Sequence, residues 1–114
     1  MKHKTYNRRH ATQLLPLLGA IGREIQERSH TLAALEERIE QLESRDHEKH
    51  GNEDLQRLVA EAATHRRGIR LAKRELDRLG CSVVGTAPLT FRIPGRVGEA
   101  KHSFVWQTGD PVLK

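Results

Sequence analysis

The sequence predicts an α+β fold: a long antiparallel helical hairpin, coiled-coil-like, followed by a small C-terminal antiparallel β-sheet packed at its base. Three observations carry this. Read backwards from Leu42, positions 42, 39, 35, 32, 28, 25, 21 and 18 step alternately by 3 and 4, and read forwards from Leu55, positions 55, 58, 62, 65, 69, 72, 76 and 79 step identically, so each facing pair sums to 97. Two helices pressed antiparallel with their a and d seams together require that mirror. Between them lies a polar stretch, Asp46 to Asn52, in which the chain can reverse. After Gly80 the period changes to short β-branched or aromatic runs bounded by glycine and proline, which is strand behaviour.

The 114 residues make one small domain, which divides into a basic N-terminal arm (1–10), helix 1 (11–46), a hairpin tip (47–52), helix 2 (53–79), short strands (81–107) and a tail (108–114). Helix 1 has two possible caps, Asn7 and Thr12. The earlier start is favoured and leaves Pro16 as a distortion inside the helix, whereas the later one puts Pro16 near the first turn, where fewer amide bonds are lost. From Leu18 to Arg45 the pattern is regular, giving a helix pair about 40 Å long at 1.5 Å per residue. At the tip Gly51 can take the left-handed conformation of a helix end and Asn52 can cap the returning helix. Gly80 stops helix 2.

Flanking positions support the register. Arg38 is expected near Glu61 and Glu36 near Arg66, while Glu24 near Glu75 is a like-charge mismatch that Arg28 or Arg78 could relieve. The middle of the seam is thin: Arg28 faces Ile69, Leu32 faces His65, Leu35 faces Ala62 and Ile25 faces Ala72. Gly68 sits beside them at a cost of about 1 kcal/mol relative to alanine. Either a second copy of the chain packs there, or Arg28 lays its aliphatic stem over the seam and sends its head to water, the simpler reading.

In the C-terminal part, runs at Ser82 to Val84, Leu89 to Ile93 and His102 to Trp106 read as strands. Leu89, Phe91 and Ile93 alternate with Thr90 and Arg92, and Phe104 and Trp106 flank Val105. Two or three short strands are unstable alone, so the sheet is expected over Leu14, Leu15, Leu17, Leu18, Leu76 and Leu79. Phe91, Phe104 and Trp106 are then core, not a base-stacking platform.

Composition excludes more than it identifies. With 4% aromatic residues the core is aliphatic and a deep ring-lined pocket is not expected. The single cysteine, Cys81, rules out an intramolecular disulfide and reads as a small buried hydrophobe at the start of a strand. Lys2, Lys4, Arg8 and Arg9 precede the apolar run Leu14 to Ile21 as in a secretory leader, but Pro16 and Gly19 interrupt that run and Leu18 and Ile21 continue the seam. No stretch approaches the roughly 20 apolar residues of a membrane span, so the expected location is the cytoplasm.

The formal charge of +5 is unevenly distributed: +4 in residues 1–11, −4 in 12–48, +3 in 49–79 and +2 in 80–114. An acidic helix 1 against a basic helix 2 suggests that much of the charge is neutralised within the molecule. Nucleic acid is a possible but unfavoured partner: Arg67, Arg70 and Arg74 form one exposed stripe at i, i+3, i+7, and Lys4, Arg8 and Arg9 form part of the basic arm. His47 and His50 at the tip, with Asp46 and Glu48, are weak metal candidates without an HExxH or paired CxxC context. No nucleophile elbow, phosphate loop or dinucleotide fingerprint is present, so no catalytic residue, cofactor or enzyme activity is expected.

The two ends resemble a bacterial family catalogued as domain of unknown function 2203. Its opening pattern, an aromatic, a short polar stretch, then Ala, Asn, two leucines, Pro and Leu, is similar to Tyr6 followed by Ala11 Thr12 Gln13 Leu14 Leu15 Pro16 Leu17 Leu18. Its closing pattern, a Leu-Val-Asp-Phe-Pro strand and a Cys-Trp before a Gly-Glu-Pro turn, resembles Pro88 Leu89 Thr90 Phe91 and Val105 Trp106 Gln107 Thr108 Gly109 Asp110 Pro111. Thr90 stands for the family's acid, Val105 for its Cys, Arg9 and His10 for acids before the Ala, and the terminal Trp-His segment has no counterpart. If those polar positions form a site in relatives, this chain lacks it. The resemblance implies the fold and no established activity.

The expected role is a non-enzymatic interaction module, self-associating or binding a protein partner through the hairpin face or a sheet edge, with Leu17, Val59 and the thin seam as motives. Because a seam histidine opposes folding when protonated, His65→Leu is expected to raise the thermal midpoint; an unchanged or lowered midpoint would argue against the seam placement.

Overall fold

The structure is a computed structural model that describes residues 5–45 and 52–114. Two helices, α1 (Arg8–Arg45) and α2 (Asn52–Leu79), precede three strands, β1 (Ser82–Thr86), β2 (Leu89–Val97) and β3 (Ala100–Gln107), which form one antiparallel sheet in the order β1-β2-β3. The expected α+β class is the observed one. Every seam position read from the mirror spacing is buried or half-buried. The tip residues His47, His50 and Gly51, and Lys4 of the arm, lie outside the described residues.

The chain divides into two compact units, Met1–Arg23 with Lys73–Lys114 and Glu24–Ala72. In the first, α1 begins earlier than the residue-11 boundary. The Asn7 side chain accepts from the His10 amide at 2.8 Å and its carbonyl accepts from Ala11 at 2.9 Å, so Asn7 is the cap and Arg8 and Arg9 belong to the first helical turn, not to an arm. Pro16 is inside the helix. The preceding residue extends the sheet: Tyr6 forms a parallel bridge to Gly95, donating to the Pro94 carbonyl and accepting from Arg96.

The core of this unit is Ala11, Leu15, Leu18 and Ile21 from α1, Leu76 from α2, and Leu89, Phe91, Ile93, Phe104 and Trp106 from the sheet. Phe91 and Trp106 stack with centroids 6.0 Å apart. Leu17, expected beneath the sheet, is 43% exposed, because it lies off the face formed by positions 11, 15, 18 and 22. That face contains a feature the sequence reading passed over: Gly19 and Gly22, one turn apart, lie under Trp106 and Phe91. A Cβ on Gly22 would come within 2.3 Å of Leu89 Cδ2 and 2.8 Å of Phe91 Cζ.

The strands are longer than their apolar runs. Val97 pairs with Ala100 across Gly98 and Glu99, and Gly98 has φ of 63°, which fits a two-residue hairpin turn with glycine in its first central position. The segment from 108 onward is not a free tail. Leu113 is buried, Lys114 exchanges two backbone hydrogen bonds with Val105, and the Trp106 indole donates to the Asp110 carbonyl at 3.0 Å.

In the unit Glu24–Ala72, α1 and α2 meet antiparallel. Leu35 and Ala62 are buried, and Arg66 pairs with Glu36 at 2.9 Å as the register requires. Arg38–Glu61 is not among the ion pairs of the described residues. The thin middle is filled by Arg28. Its Nε pairs with Glu24 at 3.0 Å, its Nη1 lies 3.4 Å from His65 Nδ1, and it occupies the space above Gly68, where a Cβ would fall 2.4 Å from Nε. The stem covers the seam as expected, and the half-exposed head is hydrogen-bonded to Glu24 and lies beside His65 at the surface of the helix pair. His65 keeps its seam position but is half-buried beside this group.

The two glycines should respond oppositely to alanine. At Gly22 the neighbours are buried core groups, so overpacking of roughly 1–3 kcal/mol outweighs the helix-propensity gain of about 1 kcal/mol. At Gly68 the neighbour is a flexible side chain, and the exposed ion pair it would lose is worth only about 0.3–0.5 kcal/mol. Urea midpoints are therefore expected to fall for Gly22→Ala and to hold or rise slightly for Gly68→Ala.

Candidate functional site

The sheet has two edges that are treated differently. The outer side of β3 is covered at Val105 by Lys114, with N···O distances of 3.3 and 2.7 Å. On its other side β2 is shared, β1 covering Leu89 to Arg92 and Tyr6 covering Pro94 to Arg96. The outer side of β1 makes no backbone hydrogen bond among the described residues. Its sequence, Ser82 Val83 Val84 Gly85 Thr86, has no charge and no proline, and Val84 is 55% exposed. The usual devices that blunt an edge are absent except one, a register shift between Val83 and Gly85.

Burial alternates along β2 as the pleat requires: Leu89, Phe91, Ile93 and Gly95 face the core, and Thr90, Arg92, Pro94 and Arg96 face outward. The pairing sets Val105 beside Arg92, Ser103 beside Pro94 and Lys101 beside Arg96 on that outer face. In the sequence Arg92 is only the polar member of an alternating strand, and this surface arises from the strand register that sets it beside Val105. Thr90 and Val105, two departures from the family pattern, both fall here, next to Arg92.

The sequence-derived cations are dispersed. Arg67, Arg70 and Arg74 are exposed on α2 and pair with no acid among the described residues. Arg8 is committed elsewhere: its guanidinium carbon sits 5.3 Å from the Phe104 ring centroid and Nη1 donates to the Leu113 carbonyl at 3.3 Å. Arg9 is exposed on the first turn of α1. The arm as a phosphate-binding element therefore loses Arg8. No group of three His, Cys, Asp or Glu that could hold a metal ion occurs among the described residues. No helix there is long and apolar enough to cross a membrane.

The recess at Arg28, about 300 Å³ and lined by Glu24, Glu27, Arg28, Thr31 and His65, is open and polar. Within it Arg28 is hydrogen-bonded to Glu24 and lies 3.4 Å from His65, which ties the cation to the helix pair. Cys81 is buried, 3% exposed, just before β1, and its Sγ approaches the Leu79 carbonyl at 3.8 Å. Burial pushes the thiol from its usual value of 9.0 up to about 11, so it stays protonated and unreactive near neutrality. The Tyr6 hydroxyl donates to the same carbonyl at 2.8 Å; burial first, and Cys81 second, raise its pKa.

Compared with known proteins, residues 4–114 match the family model described as "Uncharacterized conserved protein (DUF2203)". The chain belongs to that family. No curated protein and no solved structure matches it.

The raised thiol pKa sets a direction for stability at high pH. The folded state holds the Cys81 proton more tightly than the unfolded one, so its contribution is complete below about pH 9 and lost as pH rises toward about 11. Urea midpoints are expected to decline across that window and to decline less in Cys81→Ala, while a thiol-alkylating reagent at neutral pH should label only the unfolded chain.

Proposed function

We propose that this chain is a non-enzymatic interaction module that associates with a second copy of itself through the open edge of β1. The observation that supports this is the asymmetry of the edges. The β3 edge is covered at Val105 by Lys114 and carries Lys101, the side of β2 away from β3 is shared by β1 and Tyr6, and the uncharged Ser82–Thr86 strand is uncovered along its length with Val83 and Val84 exposed. Two such edges meeting about a two-fold axis form one six-stranded sheet and satisfy the backbone groups on both. Leu17 and Val59, at 43% and 46% exposure, are isolated residues on separate units and support no comparable interface.

Charge gives this reading a distinctive sign. The unit holding the sheet has twelve Lys and Arg against four Asp and Glu, so bringing two copies together costs repulsion that salt screens. Association is expected to strengthen as salt rises. Sedimentation equilibrium should show a dimer whose dissociation constant falls with salt, and Val84→Lys should return it to monomer with the fold intact by circular dichroism. A wild-type chain that stays monomeric at high micromolar concentration in high salt rejects the proposal.

A further inference from the structure

The chain's positive charge belongs to one part of it. Met1–Arg23 with Lys73–Lys114 has twelve basic and four acidic residues, a net +8, and Glu24–Ala72 has eight basic and eleven acidic, a net −3, so the excess positive charge lies in the unit that contains the sheet. Within that unit the three strands contain no Asp or Glu; the nearest acid in sequence, Glu99, is in the turn that joins β2 to β3. Arg92, Arg96 and Lys101 are exposed on the outer face and form no ion pair among the described residues.

Their spacing follows from the register. Arg92 and Arg96 are four residues apart on β2, about 13 Å at the strand rise, and Lys101 lies directly opposite Arg96, about 5 Å away. Between the two cationic rows, Ser103 stands beside Pro94, with Thr5 just before the bridging Tyr6. These residues, with Gly95, Lys101 and His102, line an open recess of about 310 Å³. Of the three cations only Lys101 lines the recess, with Arg92 and Arg96 flanking it along β2; guanidinium, ammonium and hydroxyl donors on one face are the set that contacts phosphate oxygens. The aromatic side chains are turned the other way: Phe91, Phe104 and Trp106 are in the core, and the His102 ring packs edge-on against Phe104 at 4.7 Å, so the face offers no free ring on which to stack a base and no aromatic anchor for a peptide.

We propose that the outer face of the sheet binds the sugar–phosphate backbone of a nucleic-acid strand through Arg92, Arg96 and Lys101, with the Thr5 and Ser103 hydroxyls between them. Binding is indifferent to sequence, because nothing on the face reads a base edge. Its affinity falls with salt, the opposite sense to the self-association above, so either reading can fail without the other.

The test is fluorescence anisotropy of a labelled oligothymidylate of about 20 nucleotides titrated with the full chain between about 25 and 200 mM salt. Three phosphate contacts on a single strand predict a log–log slope of about −2. The triple variant Arg92→Gln, Arg96→Gln, Lys101→Gln should lose at least tenfold in affinity at low salt and most of the slope, while Arg67→Gln, Arg70→Gln, Arg74→Gln should stay within twofold of wild type. Circular dichroism and a melt confirm folding; should the triple variant unfold, Arg92→Gln alone is expected to reduce the slope by about 0.7. Absence of binding at low salt, a slope near zero, loss of binding in the helix variant only, or equal competition by polyglutamate would each overturn the proposal, the last pointing to an acidic protein instead.

Discussion

The close approach of the sheet to α1 at Gly22 is the contact on which the rest of the sheet-bearing unit depends. Leu89 and Phe91 occupy space that any Cβ at position 22 would claim, and Trp106 lies over Gly19 one turn earlier. A helix backbone exposed this way loses about 1 kcal/mol of propensity at each glycine, and the return is burial of three large side chains whose transfer is worth several times that. The placement of Phe91 then fixes its strand neighbours: Trp106 is its cross-strand partner and Ile93 the next core residue along β2. With the inner face committed by these contacts, the outer face of every strand is determined, because the pleat alternates without choice. Arg92, Arg96 and Lys101 point outward because Phe91, Ile93 and Phe104 point inward.

Topology then gathers charge that the linear sequence scatters. The basic N-terminal segment and the basic C-terminal strands are more than 60 residues apart in the chain, yet Tyr6 hydrogen-bonds to Pro94 and Arg96 and joins them in one unit. A segment-by-segment count reports an acidic helix against a basic one and suggests internal neutralisation. The compact units divide the helices differently, and on that division the acids of α1 all belong to Glu24–Ala72, while the cations of the C-terminal strands belong to a unit with few acids.

The helices were legible because their cause is periodic. A seam residue recurs every 3 or 4 positions, and sixteen such positions in mirror order leave little freedom for another fold. The aromatic core was legible for the same reason, at period 2. Arg28, Gly68 and His65 were not, since each looks like a defect when read singly. A cation in a seam, a glycine in a helix and a histidine opposite leucine become intelligible only when the guanidinium is seen in the space that the missing Cβ leaves. The start of α1 was legible in the Asn7 cap, but a boundary drawn at the first apolar residue put Arg8 into an arm and concealed its contact with Phe104. The outer sheet face was invisible because it is a property of strand register, and no local spacing in the sequence specifies which residue of β3 lies beside which residue of β2.

Register also gives meaning to the departures from the family pattern. Thr90 and Val105 stand where the resembling family has an acid and a cysteine, and in this structure both lie on the outer face beside Arg92. An acid at position 90 would sit two residues along the same strand face from Arg92, within reach of a long side chain, and would offset part of its charge. Threonine cannot: it carries no charge, and its hydroxyl donates to the Pro88 carbonyl at 3.0 Å within its own hairpin. Valine at position 105 likewise offers no group that ionises. Both substitutions act in one direction, removing polar partners from the neighbourhood of Arg92 and leaving the cations of this face to whatever anion approaches from outside.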